Sequence, residues 1–444
     1  MSRINRNYLY AIIIALVVSS VSTFIHHPKT GVLINIFGLK YSDIVHGVFN
    51  TRFSPYLRES DVNNKWYDPG KYYCLTTKSR VIVYPYIDYK LEYPPLIGLI
   101  WFISTNLAIY TVLPEKYDYM VYVNSFNEIQ SIHYLIQAFI NSLSMVLTVY
   151  ITIDLINRLK KDYCIQRYLL FLLPSMLIYL IYNWDIICTL FLMLGLKNFI
   201  DRKWFKTGLF LGLSISTKIM VVFITLAVLI YLFIYMEKFC LKNVALYLTG
   251  LTIAVFIPFT VMYIASPRGF LDFVEHHAKW YCENCIYQIV FSDIFSPNHR
   301  ILAFIFIMLL VSISLYLFHE KILDDIFETS FILLVVTIAL NYVFTPQMIL
   351  IITPLALIIL EKRKLILYSI ADSLNALIII LFFEDFKIRE FLNKIGFPIP
   401  IEFNPWSISS IVQWIAVIRI MILLIIILSI LRSRVRNTRL VIGF

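Results

Sequence analysis

The chain has 444 residues, of which 60 % are hydrophobic and only 15 % charged, with a mean hydropathy of +0.78; this excludes an ordinary water-soluble domain, which carries about 25 % charged residues. A formal net charge of +10 would suit a nucleic-acid binder, but in a chain this apolar the side of a membrane that carries the charge matters more. Apolar runs of spanning length recur from end to end, so the sequence predicts an all-α polytopic membrane protein, a single integral-membrane domain over 1–444 with no nucleic-acid partner.

The first run, YLYAIIIALVVSSVSTFI (8–25), follows Arg3 and Arg6 and ends without a small-x-small site. It reads as an uncleaved first helix, not a signal peptide. With Arg3 and Arg6 inside, that helix delivers 28–130 to the outer face. This stretch holds one strongly apolar run, LIGLIWFISTNLAIYTVL (96–113). If the run spans, the basic segments DLINRLKKDYCIQR (154–167), DRKWFK (201–206), EKRK (361–364) and LRSRVRNTR (431–439) fall outside. If it does not, all four fall inside, as short basic segments do.

The second arrangement gives about 12 crossings, near 8–26, 131–153, 168–183, 186–200, 205–217, 219–236, 244–265, 301–318, 329–343, 347–360, 365–382 and 407–430. Nearly all of the net positive charge then falls on the cytoplasmic segments, while acids and bases nearly balance on the outer ones. The expectation is therefore a multi-pass protein of the plasma membrane with both termini cytoplasmic. Residues 96–113 become an interfacial helix of the outer loop 28–130, with Trp101, Phe102 and Tyr110 at the membrane surface.

On this map the unusual polar residues gather on the outer side. The loop 28–130 carries KYSDIVHG and DYKLEYPP; IYNWDIICTL and SISTKIMVV place Asp185 and Lys218 at outer turns. The loop 266–300 carries DFVEHHAKWYCENC and Arg300, and NYVFTPQMIL places Gln347 at another outer turn. Ionisable groups at membrane depth are costly, so Asp185 and Lys218 are functional candidates.

The motifs YSDIVHG, EYPPL, YNWDIICTLFLMLGL, KTGLFLGLSISTKIMVVF and YVFTPQMILIITPLAL, in that order, resemble the C-type glycosyltransferase superfamily. Within it the chain is most similar to the polyprenyl-phosphate-mannose-dependent mannosyltransferases, in an archaeal-like version. The resemblance covers the first loop and the central helices; the last ~60 residues fall outside it. It implies transfer of a hexose, mannose above others, from a polyprenyl-phosphate carrier to a lipid-linked glycan, glycolipid or surface acceptor at the outer leaflet. Such chemistry needs a carboxylate that takes the acceptor proton, groups that steady the leaving phosphate, and a groove open to lipid.

The resemblance implies that Asp43 is the base; read from the residues alone, Asp43 after Ser42 is equally a helix N-cap. Asp88, Glu92 and Tyr93 are candidates for acceptor-sugar recognition or for support of Asp43, against solvated loop charge beside Lys90. Asp185 orients substrate or caps a helix, and a monophosphate donor leads to no expected metal or other cofactor. Lys218 is a donor-phosphate ligand or a headgroup snorkeller, and Arg300 a phosphate clamp or a boundary arginine. His276 and His277, adjacent on a helix, diverge too far to chelate one metal together; either is a phosphate or sugar contact, or a solvated histidine. Gln347 enters as a contact through the resemblance. Cys282 and Cys285 are expected to form a disulfide bracing their loop, with Cys164 and Cys240 free and Cys188 buried.

Two other classes compete. A transporter or lipid-linked-sugar flippase would show halves of matching pattern, and none is visible. A non-catalytic subunit of a glycan-assembly complex would keep the helices and lose the base, yet Asp43 is present.

Overall fold

The computed structural model describes residues 3–55, 80, 82–159, 171–235, 240–318 and 326–441. Cys74, Cys164 and the basic stretch 160–167 lie outside them. The described chain is helical, with two isolated bridges, Pro85 to Tyr89 and Glu283 to Val343, as its extended pairings.

In chain order the helices are α1 Arg3–His26, α2 Pro95–Val112, α3 Tyr119–Arg158, α4 Pro174–Tyr179, α5 Asp185–Ile200, α6 Trp204–Ile215 and α7 Val222–Ile230. There follow α8 Leu241–Ala265, α9 Pro267–Lys279, α10 Asn298–Phe318, α11 Ile326–Ala339, α12 Ile349–Ile359, α13 Lys362–Phe383, α14 Asp385–Lys394 and α15 Ile411–Val441. Short helical turns fill several of the joints, among them a wide-turned helix Asp43–Phe49 that runs into Asn50–Phe53. Among the described residues, seven helices (α1, α2, α3, α8, α10, α13 and α15) are long and apolar enough to cross a membrane.

Several expected crossings are shorter than a full span. α4 is 6 residues, α6 is 12 and α11 is 14, where a bilayer core asks for about 20. Proline sets several of the boundaries: it opens α2, α4 and α9, where its missing N–H costs no intrahelical bond. α11 is buried from Ile326 to Ala339 at every position but Glu328, and α12 is buried from Ile349 to Ile358. A helix apolar all round is surrounded by protein or lipid; here protein surrounds these two. α8 and α10 are instead largely uncovered, with only 22 % of their most apolar windows buried.

α3 departs most from expectation. It starts at Tyr119, so residues 119–130 are helix and not the end of a loop. Its 40 residues make a rod of about 60 Å, twice the ~30 Å hydrocarbon core. It packs on α1 at two levels: Tyr134 donates to the Thr23 carbonyl at 2.8 Å and Asn157 to the Tyr8 hydroxyl at 3.0 Å. Its first half carries α2, through Thr105 against His133 and Gln137 against Ser104.

Glycines set the closest helix contact. A Cβ on Gly208 of α6 would fall 2.0 Å from the Tyr247 carbonyl oxygen of α8, and one on Gly250 would fall 2.2 Å from that of Phe205. Gly250→Leu is therefore expected to force α6 from α8 and cost about 1–3 kcal/mol or more. A lowered thermal aggregation temperature in detergent would register it; an unchanged one would refute the packing.

Candidate active site

The ends of the helices define two faces of the bundle. At one, Arg158 pairs with Asp154 and Asp201, Lys197 reaches Asp154, and Arg434 pairs with Glu328. At the other, segments distant in sequence are tied together. The Asp43 N–H donates to the Tyr182 carbonyl, the Leu96 N–H to that of Ser216, and the Ser266 hydroxyl to that of Tyr86. Most of the expected site residues lie at this second face.

Ser42, not Asp43, caps the helix that follows: its hydroxyl accepts from the Val45 N–H at 3.3 Å. The Asp43 carboxyl is thereby left to face inward. Its Oδ2 accepts from Asn183 Nδ2 at 2.7 Å and stands 3.5 Å from both the Tyr93 hydroxyl and Gln347 Nε2. Asn183 is itself fixed, because its Oδ1 accepts from the Trp184 N–H and its carbonyl from Asn141. Burial pushes the Asp43 carboxyl up to about 7, tempered by the Asn183 hydrogen bond, while Glu283 and Glu92 push the same way and Lys218 opposes them. A carboxyl poised near neutrality is suited to take a proton.

Lys218 Nζ lies 2.5 Å from Asp185 Oδ1, and the Asp185 side chain is fully enclosed. Asp185 opens α5, where the partial positive charge of the helix end favours an acid. Lys218 follows α6 on extended backbone, so the pair joins the start of one helix to the end of another.

The acids of DYKLEYPP have different partners. Asp88 accepts from the Tyr84 N–H at 2.7 Å and returns its own N–H to the Tyr84 carbonyl, closing a turn. Glu92 pairs at 2.6 Å with Arg52, whose side chain is 3 % exposed. Arg52 also donates to the Lys90 carbonyl, so the segment is bound to the helix after Asp43. Tyr93 follows and reaches Asp43. Its carbonyl accepts from Tyr86, whose ring occupies space that only a glycine at 98 leaves open.

His276 and His277 close α9. Burial lowers His276 to about 3, aided by His277 and Arg52, and lowers His277 as well. Both imidazoles are thus neutral near pH 7 and offer hydrogen bonds, not charge. Arg300 is engaged by its own loop: it donates to the Trp280 carbonyl at 2.7 Å and lies over the Tyr342 ring. Cys282 and Cys285 are joined as a disulfide; Cys188 and Cys240 are free thiols, the former buried. Among the described residues, the grouping of donors at metal spacing is Cys282, Cys285 and His299. The disulfide engages both sulfurs, and His299 Nε2 bonds the Asp293 carbonyl.

Sequence reasoning missed three contributors. Asn183 stands in the quoted motif YNWD, yet an amide in an apolar run drew no attention beside Asp185. Glu283 lies between the two cysteines and within electrostatic reach of Asp43 and Lys218. Arg419, wholly buried in α15, donates to Asn375 Oδ1 at 2.5 Å and to the Phe344 carbonyl at 3.1 Å. Asn375 in turn donates to the Pro346 carbonyl at 2.8 Å. The last ~60 residues thus brace the turn that carries Gln347, and an arginine in the run IAVIRIMIL was the signal.

Fold and composition together define an all-helical protein of multi-pass membrane type, with a polar cluster at one end of its helices. Compared with known families, curated proteins and solved structures, the chain finds no match.

Proposed function

We propose that the chain is a membrane glycosyltransferase that moves a hexose, mannose by preference, from a polyprenyl-phosphate carrier to a glycan or glycolipid at the outer leaflet. The observation that carries this reading is the Asp43 carboxyl, raised to about 7 and held by Asn183, with the Lys218 cation in electrostatic reach. Asp43 takes the proton of the acceptor hydroxyl as that oxygen attacks the anomeric carbon from the face opposite the phosphate. The bond from anomeric carbon to phosphate oxygen breaks, the configuration inverts, and the phosphate leaves on its lipid. Lys218, steadied by Asp185, meets the charge that gathers on the departing oxygen. Tyr93, Gln347 and the neutral His276 and His277 supply hydrogen bonds to sugar hydroxyls. The test is transfer of radiolabelled hexose from polyprenyl-phosphate hexoses into a native lipid extract by wild type beside Asp43→Asn. Transfer by wild type alone supports the reading, and equal transfer by both sinks it.

The proposal includes the topology. About 12 crossings put both termini in the cytoplasm and the polar cluster outside, with Pro95–Val112 lying in the outer interface. Length and composition alone admit α2 as a span. Its assignment to the interface rests on charge, because a crossing there would put the basic segments 201–206, 361–364 and 431–439 outside. In a background freed of unpaired thiols, cysteines at Glu275→Cys and Lys394→Cys are expected to react with an impermeant maleimide on intact cells. Lys203→Cys and Arg363→Cys are expected not to; labelling at 203 would invert the orientation.

A further inference from the structure

The turn Trp280–Cys285 is more tightly held than a surface loop requires. The disulfide closes it, with Asn284 in the left-handed region at φ 52°. Glu283 pairs through its backbone with the segment before Gln347: its N–H donates to the Tyr342 carbonyl at 3.0 Å, and its carbonyl accepts from Phe344 at 2.9 Å. The Cys282 N–H donates to the Ile294 carbonyl. This aims one carboxylate, and Trp280 Nε1 donates to its Oε2 at 2.8 Å. That carboxyl stands within electrostatic reach of Asp43 and Lys218.

Around it stands a wall of half-buried rings. Trp280 packs on His276 at 4.7 Å and on Tyr281 at 4.6 Å between centroids, and Trp406 Nε1 donates to the Tyr281 hydroxyl at 3.1 Å. A carboxylate that accepts hydroxyl protons, set beside aromatic faces that cover C–H surface, suits a pyranose ring. It repels an anion, so the phosphate of a lipid carrier belongs with Lys218 and not here.

We propose that Glu283 and the rings of Trp280, Tyr281 and Trp406 form the acceptor subsite, which binds the terminal pyranose of a saccharide and presents its hydroxyl to Asp43. This rests on the transferase reading for its chemistry and narrows the acceptor to a sugar, excluding a simple lipid alcohol or a protein side chain. The disulfide-closed turn is the device that holds Glu283 in place before substrate arrives.

The test uses the full chain in lipid nanodiscs, with two readouts. One is binding of methyl α-mannopyranoside and methyl β-glucopyranoside by saturation-transfer NMR. The other is KM for glycolipid acceptor and for polyprenyl-phosphate hexose. Glu283→Gln is expected to raise the acceptor KM about tenfold, the loss of one well-placed charged hydrogen bond, and leave the donor KM within about twofold. It is also expected to weaken the pyranoside signal. Trp280→Tyr, which keeps a ring, is expected to fall between wild type and Glu283→Gln, whereas Asp43→Asn keeps the pyranoside signal. Unchanged acceptor KM and pyranoside binding in Glu283→Gln would overturn the subsite, and a change confined to donor KM would overturn its assignment to the acceptor. Pyranoside binding that depends on Glu283 in a wild-type protein without transfer would support the subsite and defeat the transferase reading.

Discussion

Asp43→Asn is expected to fold, to retain donor binding and to lose transfer by about 10²–10⁴-fold, the range that a positioned general base supplies. The amide keeps an oxygen for the Asn183 donor, so the local hydrogen bond survives while the proton acceptor is lost. With the carboxyl raised to about 7 by burial, wild-type kcat/KM is expected to climb with pH through neutrality as the base ionises. The same shift has a sign in stability. The folded carboxyl holds its proton more tightly than the unfolded one. Between the unfolded value of 3.8 and the folded value of about 7, stability therefore falls as pH rises. Glu283, also raised by burial, acts in the same direction. Asp43→Asn removes the Asp43 share, so the variant is expected to melt higher than wild type at pH 8 and about level with it at pH 4. Thermal unfolding by intrinsic fluorescence at the two pH values measures the difference. A variant that melts lower at pH 8 would mean that the charged form is stabilised in the fold, contrary to the environment described.

Lys218→Met is expected to have the second large effect, about 10²–10³-fold in kcat/KM, as for the loss of one charge-stabilising group. Part of any loss would be structural, because Asp185 is fully enclosed against Lys218. Removing one partner of a buried pair typically costs about 3–5 kcal/mol. The double variant Lys218→Met/Asp185→Asn separates the two contributions. It leaves no orphaned charge, so its melting temperature is expected to recover toward wild type while transfer does not. Recovery of both would reduce Lys218 to a counterion of Asp185. Asp185→Asn alone keeps the cation and is expected to retain more transfer than either variant lacking it.

Much of this arrangement was legible before any coordinates. Hydropathy and proline marked the helices: 186–200 was expected against Asp185–Ile200, 205–217 against Trp204–Ile215, and 96–113 against Pro95–Val112. The start of α3 was not visible, since SFNEIQSIHY carries polar residues that a hydropathy reading assigns to a loop. Two of those residues face other helices, His133 meeting α2 and Gln130 meeting Asn50, while Asn127 and Glu128 are exposed. The site was partly legible for a related reason. Asp43, Lys218 and Asp185 stand out as charges among apolar neighbours. Asn183 and Glu283 do not, one being a neutral amide and the other an ordinary acid in a loop.

By itself the sequence determined the class. Composition requires burial of backbone in helices away from water, and charge along the chain sets which ends of those helices are alike. What it could not decide is which apolar faces meet one another. Ile326–Ala339 and Asn298–Phe318 are both strongly apolar, yet the first is enclosed at all positions but Glu328 and the second largely uncovered. Only the packing of the helices brings residues 43, 93, 183 and 347 to one carboxyl oxygen. It also gives Glu92 an arginine partner while Asp88, four residues earlier, closes a turn. Hydrophobic pattern records how much of a helix avoids water, and lipid and protein satisfy that demand equally. The neighbours of each residue are fixed by side-chain shape, by glycine contacts such as Gly208 with Gly250, and by the polar groups that must find partners inside.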